Sequence, residues 1–181
     1  VHIKKMDLIL TGKKKKEKLM AFSIDLKGKR GVVLGVANHR SIAWAISKVL
    51  SDAGAELCFT YLNERLKQPV AKTVSEIGNP LLLECDATDE KQIEKIYEDV
   101  KNQFGSIDFI VHCIAYAERE DLGGNFSDTN LNGFRTALET SAYTLIPVVG
   151  KSVNLFGEKG GSVITLTFDA SQRVYPGYNI M

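Results

Sequence analysis

No stretch of this sequence approaches the roughly 20 consecutive apolar residues that span a bilayer. Leu8-Ile9-Leu10 is likewise too short for the apolar core of a signal segment. Charge of one sign is lacking too. With a formal net charge of +1, the chain sets up no field that would draw nucleic acid or a membrane surface, so neither is expected as a partner. Cysteine is scarce: Cys58, Cys85 and Cys113 stand far apart in apolar surroundings without a C-x-x-C pair. That removes the usual zinc and redox signatures, so no metal is expected, and leaves buried free thiols in a reducing, cytoplasmic compartment. The glycine fingerprint G-x-G-x-x-G is also missing. What remains is a globular composition, 181 residues with 44% hydrophobic content, sufficient for one substantial core.

The small net charge hides an uneven distribution. Residues 1–19 carry seven lysines against Asp7 and Glu17, and the rest of the chain is therefore acidic on balance. Residues 1–20 read as a basic, disordered extension, with patterned sequence beginning near Met20. Residues 21–181 read as one domain, without an internal repeat or a dividing linker.

From Gly31 onward, apolar β-type runs alternate with helical patterns. Strands are expected at 31–36, Glu56–Tyr61, Leu81–Asp86, Ile107–His112 and Ser162–Thr167. Between them lie helices over Ser41–Ala53, Glu64–Ile77 with an irregularity at Pro69, and Asp89–Phe104. A long helix is expected over Asn132–Leu155, kinked at Pro147. Strands and helices at this spacing imply right-handed crossovers and a parallel sheet, an α/β, Rossmann-like doubly wound fold.

In such a fold the first strand-to-helix turn receives the pyrophosphate of a dinucleotide. Here that turn is Gly35-Val36-Ala37-Asn38-His39-Arg40-Ser41-Ile42. Gly35 and Ala37 are small enough for close approach of backbone to cofactor, and Ser41 is a helix cap with a hydroxyl and N–H for phosphate. The acid that commonly meets the adenine ribose after the second strand is absent: Tyr61-Leu62-Asn63 stands there. Asp86 follows the third apolar run at the carboxyl edge of the sheet, where it serves a ligand, an Asx-type turn, or both. His112, ending an apolar strand, reads as a packed core histidine.

Several segments together resemble the bacterial-type enoyl-acyl-carrier-protein reductases, a divergent branch of the short-chain dehydrogenase/reductases. The resemblance is carried by Gly35-Val36-Ala37-Asn38 with Ser41-Ile42-Ala43, by Phe59-Thr60-Tyr61-Leu62-Asn63-Glu64-Arg65-Leu66, by Cys85-Asp86, and by Asp108 through Ala117. It continues in Thr165-Leu166-Thr167-Phe168 and Pro176-Gly177-Tyr178-Asn179-Ile180-Met181. The resemblance implies NADH as cofactor, with NADPH less favoured, and an enoyl thioester on acyl carrier protein as substrate in fatty acid synthesis. Gly35, Ser41, Ile42, Leu62, Asp86, Ala87 and Ile114 would hold the cofactor. Ala117 and Phe168 would lie near the acyl chain, and Tyr178 would be the catalytic tyrosine.

In this family a hydride adds to the β-carbon of the enoyl thioester and the tyrosine hydroxyl serves the developing enolate oxygen, with a lysine adding positive charge. Three departures are visible. Phe168 stands where the family commonly has a second tyrosine, Cys113 replaces a serine, and Glu118 replaces a proline. The family lysine would fall at position 185, past the last residue of this sequence. A chain with about five strands, lacking the family's last two, is expected to bind cofactor weakly and to show little turnover. The alternative is a catalytically inactive dinucleotide-binding or interaction module. A homo-oligomer is expected of the complete protein.

Overall fold

The computed structural model describes residues 24–180, so the basic stretch 1–20 lies outside the described residues. Five parallel strands, β1 (Arg30–Leu34), β2 (Glu56–Tyr61), β3 (Leu81–Glu84), β4 (Phe109–His112) and β5 (Ser162–Thr165), form one sheet in the order β3-β2-β1-β4-β5. Helices α1 (Ile42–Asp52), α2 (Glu64–Val74), α3 (Glu90–Phe104), α4 (Leu131–Leu138) and α5 (Leu145–Ser152) connect them. The order reverses between β1 and β4, which pair in register from Gly31 with Phe109 to Leu34 with His112. This is the doubly wound arrangement expected from the sequence, with its crevice at the carboxyl ends of β1 and β4.

The central strands are nearly continuous apolar runs because both of their faces are covered. Val33, Phe59 and Val111 pack with Trp44 of α1 and Val70 of α2 on one face. Val32, Leu34 and Ile110 pack with Ile93 and Ile96 of α3 and Val148 of α5 on the other. Side chains alternate across each strand, so neighbouring residues of β1 feed two different cores. Burial raises the Cys58 and Cys85 thiols to about 12, which keeps them protonated within this packing.

Two local expectations are corrected. α2 runs through Pro69 and then tightens into a short 3₁₀ turn over Ser75–Ile77. The expected long helix over Asn132–Leu155 is two helices, separated by a wide π turn at Glu139–Tyr143. Its Thr144 N–H donates to Glu139 O at 3.1 Å, five residues back. Pro147 explains the break: it has no N–H for the carbonyl four residues earlier, and its ring crowds that carbonyl. The irregularity therefore precedes the proline.

Candidate functional site

The site begins where β1 ends. Gly35 takes φ 101°, and a Cβ there would lie 2.0 Å from the Cys113 carbonyl oxygen, so only glycine fits beneath the loop leaving β4. Close packing against Cys113, more than approach to a cofactor, dictates this glycine. The chain then turns over Ala37–Arg40 and enters α1.

Ser41 holds that turn in an unexpected way. Its backbone is extended, as an N-cap requires, but its hydroxyl makes no cap bond to α1. Instead the hydroxyl accepts from the N–H groups of Ala37 at 3.0 Å and Asn38 at 3.1 Å, and the Ser41 N–H donates to Asn38 O. The Ser41 hydroxyl is thus a brace inside the turn, corrected from a cap on α1; having accepted two N–H groups, it keeps its own proton to donate. The groups left without helical carbonyls are the N–H groups of Ile42 and Ala43, at the positive end of α1. The Ile42 side chain is exposed.

Leu62 is half exposed just past β2. The next side chain, Asn63, is turned into α2 and accepts from the Leu66 N–H at 3.3 Å. No carboxylate occupies either position.

At the end of β3, Asp86 Oδ1 accepts from the N–H and hydroxyl of Thr88 at 2.9 and 2.7 Å, the Asx-type turn read from the sequence. The Asp86 N–H donates to Gln92 Oε1 at 2.9 Å. Among the described residues Asp86 Oδ2 has no hydrogen bond, so one carboxylate oxygen remains for a ligand. Ala87 is buried beside it and Ile114 is half-buried across the crevice.

These pieces enclose a cleft of about 480 Å³ whose walls include Gly35 and Ala37 after β1, Leu62 after β2, Asp86 and Ala87 after β3, and Ile114 after β4. Two larger depressions, of about 610 and 740 Å³, open at the opposite end of the sheet, near Glu56 and Asp108. Ligands of open α/β sheets bind at the carboxyl ends of the strands, which selects the smaller cleft. Among the described residues no group of three His, Cys, Asp or Glu side chains could hold a metal ion, and no helix is long and apolar enough to cross a membrane.

Other expected site residues stand apart. Ala117 is buried outside the walls of this cleft. Tyr178 is 43% exposed, also outside those walls, with its ring edge-on to Phe168 at 5.2 Å. Tyr175-Pro176-Gly177-Tyr178 is a tight turn in which the Tyr178 N–H donates to Tyr175 O at 3.1 Å and Gly177 takes φ 77°, the pattern of a type II turn.

The sequence reading missed the polar side chains of the π turn. Ser141 accepts from the Tyr116 N–H at 3.0 Å and donates to Tyr116 O at 3.1 Å, clamping the loop after β4, and Thr136 and Thr140 line the cleft. Thr144 is fully buried, donates to Thr140 O at 2.8 Å, and lies 2.9 Å from His112 Nε2. Because that hydroxyl proton is already committed, Nε2 carries the imidazole proton and donates. His112 is 1% exposed, with Nδ1 buried and without a partner among the described residues. Burial pushes its pKa below the ordinary value, in keeping with a core histidine. The available signal for this network was the spacing of Thr136, Thr140 and Thr144 on one helical face.

Residues 35–181 match the family model described as enoyl-(acyl carrier protein) reductase. A relative from Enterococcus faecalis, named an NADH enoyl-acyl-carrier-protein reductase FabI, is 44% identical over 156 residues, which cover 86% of this chain and 61% of the relative. A crystal structure of the Bacillus cereus enoyl-acyl-carrier-protein reductase with NADP+ and indole naphthyridinone aligns with TM-score 0.83 at 41% identity, over 87% of this chain and 62% of that one. The Anaplasma phagocytophilum reductase in complex with NAD aligns with TM-score 0.82 at 35% identity, over 86% and 59%. The chain thus spans about three fifths of the length of these relatives.

Proposed function

The chain belongs to the enoyl-(acyl carrier protein) reductase family, and from that premise we propose that it carries the cofactor-binding and tyrosine-bearing part of an NADH-dependent enoyl-acyl-carrier-protein reductase of fatty acid synthesis. The observation that carries this reading is the cleft at the β1/β4 switch point, where Gly35, the braced Ser41 turn, Asp86 and Ile114 converge. It suits a dinucleotide. The N–H groups of Ile42 and Ala43, unpaired among the described residues, would hold the pyrophosphate, Asp86 Oδ2 would accept from the adenine amino group, and Ile114 would give the nicotinamide half an apolar floor.

Bound NADH supplies the hydride. Tyr178 contributes a hydroxyl that donates to the thioester oxygen as negative charge develops there. Phe168 backs the tyrosine ring, and Ala117 lies toward the acyl chain. Relatives named as NADH reductases support NADH as the preferred cofactor; NADPH stands second, with Arg65 in the first turn of α2 as the cation that would meet its 2′-phosphate. Leu131, Phe134, Leu138 and Ile146 leave an exposed apolar stripe along α4 and α5, which supports a homo-oligomer formed through this face. Cys58, Cys85 and Cys113 as free thiols support a reducing, cytoplasmic setting.

The reading is tested by turnover. The chain continued at its carboxyl end by the corresponding portion of a relative, which brings the family lysine, should oxidise NADH when given a trans-2-enoyl thioester. Tyr178→Phe should lower that rate roughly a hundredfold or more, the usual range for removing a general acid. Rates equal in the parent and the variant would remove Tyr178 from the mechanism. No turnover at all with saturable NADH binding would favour a non-catalytic binding module.

A further inference from the structure

Tyr178 is held by its neighbours and not by its own hydroxyl, which has no hydrogen bond among the described residues. The tight turn at Tyr175–Tyr178 fixes the chain on its amino side. On its carboxyl side, Asn179 spends its whole side-chain amide on a loop some 50 residues away. Its Nδ2 donates to Gly123 O at 3.0 Å and Asn125 O at 3.4 Å, and its Oδ1 accepts from the Thr129 hydroxyl at 3.2 Å. The Ile180 N–H adds a longer bond to Asp121 O at 3.4 Å.

That loop is itself anchored to α4. Asn130, next to Thr129, caps α4 by accepting from the Gly133 N–H at 2.9 Å. Asp121 is 4% exposed and its carboxylate packs directly on Gly133, where a Cβ would collide with it. α4 therefore holds Tyr178 at its amino end, through Asn130, Thr129 and Asn179. At its other end it runs into the π turn, whose Ser141 clamps Tyr116 on the cleft wall. One helix sets the position of both the tyrosine and the wall.

We propose that Asn179 is a positioning residue for the reduction, holding Tyr178 in place by tying it to the 121–129 loop and, through that loop, to α4. What Tyr178 does rests on the reductase reading above; where it is held does not.

The test uses the full chain labelled with 3-fluorotyrosine and observed by fluorine NMR, with the Tyr178 signal among the six tyrosines identified by its loss in Tyr178→Phe. In Asn179→Ala the Tyr178 signal should shift or broaden while the signals of Tyr61, Tyr97 and Tyr143 hold. Added NADH should move the Tyr178 signal in the parent and fail to move it in Asn179→Ala, with NADH affinity changed less than about twofold because the cleft is untouched. A Tyr178 signal unchanged by the substitution, or an unchanged response to NADH, would overturn the proposal. If Asn179→Ala does not fold, Thr129→Val, which removes one of the three side-chain bonds, should give a smaller shift confined to Tyr178. No shift there would equally overturn it. Absence of NADH binding to the parent would count against the reductase reading, and the unliganded Tyr178 signal would then decide for or against the clamp.

Discussion

Single residues in this chain take their identities from packing as often as from chemistry. Gly35 is fixed by φ and by the Cys113 carbonyl together, so Gly35→Ala should cost about 2 kcal/mol or more in a urea unfolding titration, the scale of strained backbone plus a steric clash. A variant as stable as the parent would show that the β1 turn is looser than described. Ser41 illustrates what residue-level reading from sequence can miss. Its place before a helix advertises a cap, yet its hydroxyl faces backward into the turn, because the short Ala37–Arg40 loop leaves two N–H groups with nothing else to bind. Asp86 was legible as an Asx-type turn, and its Oδ1 makes that turn with Thr88.

Elements show where tertiary context overrides pattern. The alternation of apolar runs and helical periodicity located all five strands and the helices of the nucleotide half, since period and punctuation are local properties. The division of α4 from α5 was legible only as the kink expected at Pro147; the π turn itself was not, because one inserted residue carries no punctuation of its own and the proline that provokes it lies after it. The polar clamp at that turn was hidden for the same reason: Thr144 and Ser141 meet β4 and its loop only once the crossover is packed. His112 ties β4 to this turn and gives the element a pH signature. Its folded pKa lies below the ordinary 6.5, so on acidification the unfolded chain takes up a proton that the folded one refuses. Stability is therefore fully present above 6.5 and falls as pH drops from there toward the folded value. Thermal melts across this range should show a steeper loss for the parent than for His112→Gln. Parallel curves would mean that His112 titrates as freely as an exposed imidazole.

At the scale of the molecule, strand order and helix placement converge on one crevice. The sequence-visible turn after β1, the acid after β3 and the small residues after β4 come from segments far apart in the chain, and the 3-2-1-4-5 order alone brings them together. Tyr178 joins this arrangement by a different route, through a loop and a single asparagine, which no period or motif in the sequence encodes. The central claim is that the crevice is a dinucleotide site, and the most direct measurement is a titration of the chain with NADH and NADPH, followed by isothermal calorimetry. Saturable one-to-one binding is expected, tighter for NADH. It should be weakened about tenfold in Ser41→Ala, the scale of losing one or two turn-bracing hydrogen bonds. No saturable binding, or binding indifferent to Ser41→Ala, would contradict the account.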